Sequence, residues 1–480
     1  MTGYEAVIGL EIHVQLDTQT KMFCGCELSF GDPPNVHTCP VCLGHPGTLP
    51  VVNEQAVHYA LMVGLALGSE IAPRCIFHRK NYFYPDLPKG YQISQYDVPI
   101  ARGGELSGVR IHRAHLEEDA AKLVHVGASG RIHDSGDSLV DFNRGGTPLV
   151  EIVTEPDLHD PAEAREWLQL LRTTVRQLGV SDVNMEEGSL RCDANVSIRP
   201  AGSDELGTKT ELKNMNSFRF LERGIEAELE RQRGLLDAGE RVVQQTLHFD
   251  PASGTLTPLR SKEEAHDYRY FPEPDLVPLA PSGEMIEAAR AALPELPEAR
   301  LTRLRDELGL PAELARTLAF DASLAGYFER VLAAASGAVE AKLLAGWVTG
   351  ELVAALREGG GSGDPSEARA APEAFVSLVK MVAERRIARG AAKQVLATLV
   401  AEGGDPESIV EREGLAQVSG DGELEAAVER AIEADPDAAE AIRAGREQAI
   451  GALVGSVMKE TRGAADGGEV ARLIREKLGS

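Results

Sequence analysis

No uninterrupted apolar run in the 480 residues approaches the roughly 20 needed to cross a bilayer, which excludes a helical membrane protein. Positive charge is scarce. With 49 Lys and Arg against 75 Asp and Glu the formal charge is -26 and the pI about 4.9. That excludes a chain coating nucleic acid over its whole surface and leaves room only for a local basic patch. The start, Met1-Thr2-Gly3-Tyr4-Glu5, has neither a basic nor an apolar leader segment, so a cytoplasmic location is expected. A length of 480 residues and 51.5 kDa excludes a peptide or a small disulfide scaffold. A Walker A loop is missing, as is a dinucleotide-binding glycine pattern between a strand and a helix. Any nucleotide is therefore held by another architecture.

What is present is unevenly spread. All twelve histidines fall between His13 and His266 and all six cysteines between Cys24 and Cys192. The 210 residues after Tyr270 are mostly Ala, Leu, Glu, Arg and Gly, a composition of helical packing units, so any chemistry is expected in the first 270. Short runs rich in β-branched residues predict strands over 6–16, 108–115, 122–126, 149–154 and 194–199, and helical periodicity predicts helices over 53–67, 161–178 and 218–234. Irregular spacing of the strands, several separated only by turns, predicts an α+β fold with a mixed or antiparallel sheet. After the proline-rich stretch 270–278, helices are expected over 294–307, 311–321, 323–336, 338–358, 372–388 and 391–401, with 359–363 as an exposed glycine connection. The predicted organisation is a domain over 1–290, an all-α helical domain over 291–403 and a small α-helical tail over 404–480. Residues 401–440 carry 13 acidic and 2 basic residues, whereas 441–480 carry 7 basic and 5 acidic, which makes the last forty the place for an anionic partner.

Cys24-Gly-Cys26 and Cys39-Pro-Val-Cys42 bring two close thiol pairs into one short segment, about 24–42. Four thiolates on two tight turns suit a closed tetrahedral zinc site that braces a loop; a redox dithiol or unligated buried cysteines are the competing readings. Cys75 and Cys192 read as buried small hydrophobes. In Ile8-Gly9-Leu10-Glu11-Ile12-His13-Val14-Gln15-Leu16 the side chains of Glu11, His13 and Gln15 share one face of a strand, which fits either a metal or substrate contact or a plain solvated face. Glu117-Glu118-Asp119, Glu151, Asp193 and Glu211 place further carboxylates in or beside apolar runs, the hard-oxygen donors that Mg²⁺ takes together with substrate phosphates. The segment from His78 to Gln92 mixes bases, aromatics and prolines and could cradle a nucleobase, phosphates or an RNA end. Arg144-Gly145-Gly146-Thr147 offers a weak version of a backbone anion nest.

Longer motifs carry a resemblance. Val7-Ile8-Gly9-Leu10-Glu11-Ile12-His13, Arg79-Lys80-Asn81-Tyr82-Phe83-Tyr84-Pro85-Asp86, Tyr91-Gln92-Ile93-Ser94-Gln95, His115-Leu116-Glu117-Glu118-Asp119-Ala120, Gly188-Ser189-Leu190-Arg191-Cys192-Asp193-Ala194-Asn195, Glu211-Leu212-Lys213-Asn214-Met215-Asn216-Ser217 and Gly455-Ser456-Val457-Met458-Lys459 together resemble the B-subunit family of aspartyl/glutamyl-tRNA amidotransferases. The likeness runs essentially from end to end, and the inserted domain of the related archaeal-type protein has no room here.

The resemblance implies a cradle domain of the glutamine synthetase/guanido kinase type, then the helical domain, then a tail that reaches the tRNA. It implies an enzyme that uses ATP and Mg²⁺ to phosphorylate the side-chain carboxylate of misacylated Glu-tRNA(Gln) and/or Asp-tRNA(Asn). Ammonia, released from glutamine in a partner amidase subunit and channelled inward, then displaces phosphate. A small third subunit completes the heterotrimer, and an aminoacyl-tRNA synthetase in a larger assembly is a further implied partner. The resemblance places Glu11, His13, Glu118, Glu151, Asp193 and Glu211 at or near the magnesium-phosphate site, with Glu117 competing with Glu118 for one position. It places Asn81, Tyr82, Tyr84 and Arg191 at nucleotide or substrate, and Lys80 and Lys89 at the polar end of the ammonia channel. The four cysteines match relatives with an intact structural Zn²⁺ knuckle. Two other readings compete: a non-catalytic tRNA-binding scaffold, and a free-standing amino-acid ligase.

Overall fold

A computed structural model describes residues 3–126, 136–213, 215–261, 268–415, 421–443, 446–461, 465 and 467–478. The motif residue Asn214 lies outside the described residues. The chain forms two compact units that divide between Leu296 and Pro297.

The first unit carries strands β1 (Tyr4–Gln15), β2 (Glu70–Ile71), β3 (Phe77–Asn81), β4 (Tyr91–Gln95), β5 (Ala101–Arg102), β6 (Glu105–Leu106), β7 (Val109–Glu118), β8 (Lys122–Val126), β9 (Asp137–Asp141), β10 (Pro148–Thr154), β11 (Leu190–Pro200), β12 (Thr210–Lys213), β13 (Gln245–Asp250), β14 (Thr255–Ser261) and β15 (Phe271–Pro272). Its helices are α1 (Glu54–Ala66), α2 (Pro161–Gln177), α3 (Phe218–Asp237) and α4 (Gly283–Ala291). The main sheet runs in the order β14-β13-β12-β11-β1-β10-β7-β5-β2, with β6 on β7. Its pairs are antiparallel except for β12 and β13, so the sheet is mixed. Smaller sheets pair β15-β3-β4 and β8-β9.

Period-two patterning sets the register. Along β1 the even-numbered Ile8, Leu10, Ile12 and Val14 are fully buried. Opposite them lie Val150 and Ile152 on β10 and Cys192, Ala194 and Val196 on β11, which pair residue for residue and close an apolar face. Helix α3 covers part of that face, and α2 packs on α3. Local signals start the helices: Asn53, Asp160 and Ser217 each accept amide hydrogen bonds at the N-termini of α1, α2 and α3, and Pro161 supplies the first residue of α2. Within the stretch from His78 to Gln92 lie four of the five residues of β3 and the first two of β4.

The second unit is helical: α5 (Pro297–Asp306), α6 (Ala312–Phe320), α7 (Ala322–Ala335), α8 (Ala341–Gly346), α9 (Val353–Glu358), α10 (Pro372–Ala383), α11 (Arg389–Glu402), α12 (Pro406–Glu413), α13 (Asp421–Ala434), α14 (Pro436–Arg443), α15 (Ile450–Glu460) and α16 (Gly467–Leu478). One apolar core spans Leu304 to Leu415 and a separate one spans Leu424 to Leu478. The helix expected over 338–358 is broken into α8 and α9 by a π-helical turn, Trp347–Leu352. The helix expected over 372–388 stops at Ala383, where Arg385 turns left-handed (φ 57°) and the Arg386 amide closes back on the Met381 carbonyl.

Candidate active-site face and thiolate knuckle

The face of the main sheet opposite the apolar one is built from odd-numbered residues. Register pairs Glu11 with Asp193, His13 with Arg191 and Glu151, Glu151 with His115, and Asn195 with Glu211. Five strands, β12, β11, β1, β10 and β7, therefore present their polar side chains side by side. Leu149 and Val153 are apolar members of the same rows.

At one flank His13 Nε2 stands 3.6 Å from Glu117 Oε1 and 3.4 Å from Glu151 Oε2, and His115 Nε2 stands 3.3 Å from Glu151 Oε2. The candidate ligand atoms of His13, Glu117 and Glu151 all lie within 4.8 Å of one another. Both carboxylates are buried. Burial would raise the Glu151 carboxyl, but the His115 and His13 imidazoles overcome it and hold Glu151 well below its ordinary value. Glu117 is lowered in the same way, against burial, chiefly by its hydrogen bond with His115. Reciprocally, burial opposes the charge on His115, yet Glu151 and Glu117 raise it to about 9. His13 is raised as well, mainly by its bond to Glu151 working against burial. Lys80 reaches this flank from β3: burial opposes its charge, but Glu117 and Glu151 hold its pKa above the ordinary value.

At the other flank Lys213 Nζ is shared between Asp193 Oδ2 (2.7 Å) and Glu211 Oε1 (3.0 Å). Those two acids overcome the burial of Lys213 and raise its pKa. Thr246 Oγ1 donates to Glu211 at 2.8 Å, and Asn195 Nδ2 donates to Glu11 at 3.0 Å. Between the flanks, Asp119 accepts from Arg191 Nη2 and Gln15 Nε2, each at 2.8 Å. Despite its burial Asp119 is held below its ordinary value by Arg191 and Arg144.

The expected residues thus divide into groups. His13 and Glu151 stand together, joined by Glu117; Glu11, Asp193 and Glu211 form the adjoining row with Lys213. Glu118 is elsewhere: its carboxylate pairs with Lys89 and accepts from the Ile93 amide at 2.9 Å. Arg191 lies on the polar face. Asn81 is spent on chain geometry, its amide donating to the Tyr268 and Arg269 carbonyls at 3.2 and 2.8 Å. Tyr82 meets the Tyr268 ring edge-on, Lys80 sits 4.9 Å over that ring, and Tyr84 is exposed. The amides of Gly146 and Thr147 bond to the Asp119 and Arg144 carbonyls, so Arg144–Thr147 is not an open anion nest.

The four sulfurs of Cys24, Cys26, Cys39 and Cys42 also converge within 4.8 Å, all as free thiols. A tight turn at Cys39-Pro40-Val41-Cys42 sends the Cys39 amide to Cys42 Sγ at 3.2 Å. The Cys24 thiol, donating to Cys42, lowers Cys42 to about 4, with Lys21 adding to the shift. Burial pushes Cys26 up to about 11. This four-sulfur donor set fits Zn²⁺, and the His, Glu, Glu set fits a harder ion. A cavity of about 60 Å³ beside the knuckle is walled by Cys24, Cys42, Lys21, Lys89, Tyr91 and Glu118. Gly44, at φ +69°, packs so closely there that a Cβ would fall 2.4 Å from Lys89 Cγ. Cys75 and Cys192 are buried away from this cluster.

Sequence reasoning did not single out His115, Lys213 or Lys21, and it noted Asp119 only as the last of three consecutive acids. The alternation Arg113-Ala114-His115-Leu116-Glu117, read with the same parity as Glu11-Ile12-His13, carried the signal for His115 and for choosing Glu117.

Residues 6–287 match the family described as the GatB/GatE catalytic domain, and residues 326–478 match the GatB domain. A relative from Moorella thermoacetica, curated as the B subunit of aspartyl/glutamyl-tRNA(Asn/Gln) amidotransferase, is 50% identical over 483 residues, covering 99% of this chain and 100% of its own. A relative of the same name from Anaeromyxobacter sp. (strain K) is 50% identical over 488 residues, covering 100% of this chain and 99% of its own. One from Carboxydothermus hydrogenoformans is 49% identical over 486 residues, again covering 100% and 99%. With both domain matches and half of all positions identical from end to end, the chain belongs to the B-subunit family of aspartyl/glutamyl-tRNA(Asn/Gln) amidotransferases, a family of ligase-type enzyme subunits.

Proposed function

We propose that this chain is the kinase and transamidase component of a tRNA-dependent amidotransferase, acting in the cytoplasm with an amidase subunit and a small third subunit. It phosphorylates the side-chain carboxylate of misacylated Glu-tRNA(Gln) and/or Asp-tRNA(Asn) at the expense of ATP and amidates the product with ammonia from the amidase. In this reading the first 290 residues are a cradle of the glutamine synthetase/guanido kinase type. Residues 291–403 and 404–480 are helical, and the tail contacts tRNA. An aminoacyl-tRNA synthetase is a further partner of the assembly, outside the reaction itself.

The observation that carries this reading is the buried cluster of His13, Glu117 and Glu151. A scaffold gains nothing from burying two ionised carboxylates, whose desolvation is costly unless they are paired or hold a metal. His13, Glu117 and Glu151 would hold Mg²⁺, with Glu11, Asp193 and Glu211 beside them. Bound there, the ion neutralises phosphate charge during transfer.

The chain's own groups do the rest. Lys213 and Arg191, already fixed by Asp193, Glu211 and Asp119, are oriented cations beside the acids and suit phosphate oxygens. The substrate carboxylate oxygen attacks the γ-phosphorus; the bond to the ADP oxygen breaks and an acyl phosphate forms. Ammonia then attacks the acyl carbon, the C–N bond forms, phosphate leaves with the C–O pair, and one proton is lost. Lys80 and Lys89 line the ammonia route, Lys89 being paired with Glu118 beside the cavity. Asn81, Tyr82 and Tyr84 border the substrate, and the Cys24, Cys26, Cys39 and Cys42 knuckle holds structural Zn²⁺.

The test is phosphoryl transfer from ATP to misacylated tRNA by the complete heterotrimer with Mg²⁺ and ammonium, comparing wild type with Glu151→Gln. Loss of transfer by about 10²-fold or more, with tRNA binding retained, is expected. Unchanged transfer returns the chain to the scaffold reading.

A further inference from the structure

Lys21 stands in an environment unusual for a lysine. It is 1% exposed and ranks among the largest fully buried side chains. Its Nζ donates to the Phe142 carbonyl at 2.9 Å and to Cys42 Sγ at 3.8 Å. Among the described residues no carboxylate joins it in an ion pair, unlike Lys89 with Glu118 or Lys213 with Asp193. A buried ammonium whose oxygen partner is a neutral carbonyl needs negative charge nearby.

The knuckle supplies that charge. A divalent ion held by four thiolates carries a net charge of -2, concentrated on sulfur. Lys21 is pinned at both ends of its reach. Its own amide bonds to the Cys26 carbonyl at 3.0 Å, and the next amide, Met22, bonds to the Gly146 carbonyl at 2.8 Å. Gly146, at φ +91°, lies against the lysine stem, where a Cβ would come within 3.3 Å of Lys21 Cδ. The lysine therefore cannot swing out to solvent without opening the loop around it.

We infer that Lys21 is the outer-shell cation of the tetrathiolate site: its ammonium donates to the Cys42 sulfur, offsets part of the site's negative charge and ties the metal knuckle to the Phe142–Gly146 segment of the fold. Donation to sulfur draws electron density from the thiolate, so it also protects Cys42 from alkylation and proton-assisted release. The role is one of positioning, since Lys21 acts through a ligand.

This inference rests on the zinc reading of the four cysteines and on no step of the amidation reaction. The full chain, in its heterotrimer, is loaded with Zn²⁺, and the rate of zinc transfer to an excess chelator is compared among wild type, Lys21→Met, Lys21→Gln and Lys21→Arg. Iodoacetamide labelling of Cys42 is followed in parallel. Release is expected about 10- to 100-fold faster in Lys21→Met and Lys21→Gln, with faster labelling, and largely restored in Lys21→Arg. Lys21→Gln retains a donor for the Phe142 carbonyl, so it decides the question by itself if the methionine variant does not fold. A folded, uncharged variant that releases zinc at the wild-type rate overturns the inference, as does an arginine variant as leaky as the glutamine one. Wild-type protein that takes up no stoichiometric zinc overturns the reading of the knuckle instead.

Discussion

Glu117 and Glu118 are neighbours with identical side chains, yet strand alternation sends one to His13 and Glu151 and the other to Lys89. Their substitutions should separate two steps. Glu117→Gln is expected to abolish Mg²⁺-dependent phosphorylation, whereas Glu118→Gln should leave phosphorylation intact and impair use of ammonia; assaying acyl-phosphate formation and amide formation separately in each variant checks this. The imidazoles give a second prediction. His115 is raised to about 9 in the folded protein, from an ordinary 6.5. A raised pKa means the native state binds the proton more tightly, so this stabilisation is full below pH 6.5 and is lost as pH rises through 9. In metal-free protein the cluster should lose on the order of 3 kcal/mol across that window. Urea unfolding from about pH 6 to about pH 9.5 would show the decline, and His115→Asn should flatten it. At this scale the sequence was half legible. Glu11, His13, Glu151 and Asp193 stood out because each interrupts an apolar run, and Glu211 because it sits in a motif shared with the family. Lys213 did not, because a lysine beside a turn reads as a surface residue until the partners Asp193 and Glu211 are seen.

Elements with a clear period were legible, and those whose geometry depends on packing were not. The alternation in β1 predicted both its extent and its polar face. Strands β3 and β4 were missed because Arg79, Lys80, Asn81, Tyr91 and Gln92 give no apolar alternation; Arg79 is held instead by a bidentate pair with Glu273 and by the Tyr91 ring. The π-helical turn at Trp347–Leu352 cannot be read from a 3.6-residue period, and it presents Glu351 to both Arg389 and Lys393 on α11. The turn after Cys42 makes a prediction of its own. Gly44→Ala places a side chain in a left-handed conformation, at about 1–2 kcal/mol, and drives it into the Lys89 stem. The expected result is a slightly lower Tm and an ammonium KM raised several-fold, with the KM for ATP unchanged, read from steady-state kinetics with ammonium as the nitrogen source.

At the scale of the whole molecule, the composition shift near residue 270 was the most informative sequence feature, since every histidine and cysteine lies before it and the described structure after Pro297 is helical. The separate core from Leu424 to Leu478 makes the last segment removable. Truncation after Leu415 should leave ATP-dependent chemistry on a bound substrate intact while weakening tRNA binding, with a shallower dependence of affinity on salt because phosphate contacts are lost; filter binding across a salt series, beside single-turnover amidation at saturating tRNA, measures both. The two-sided sheet has a consequence for how such a chain can change over time. Polar and core residues alternate along β1 from Leu10 to Gln15 and along β11 from Leu190 to Val196, so these stretches are read in a frame of two. Deleting or inserting a single residue within either acts like a frameshift unless a bulge absorbs it, as the irregularity between Val153 and Thr154 does for β10 and β7: side chains beyond the change trade places, carboxylates into the packed layer and isoleucines onto the polar one. Such stretches tolerate substitution, but slippage only where a bulge takes up the extra residue.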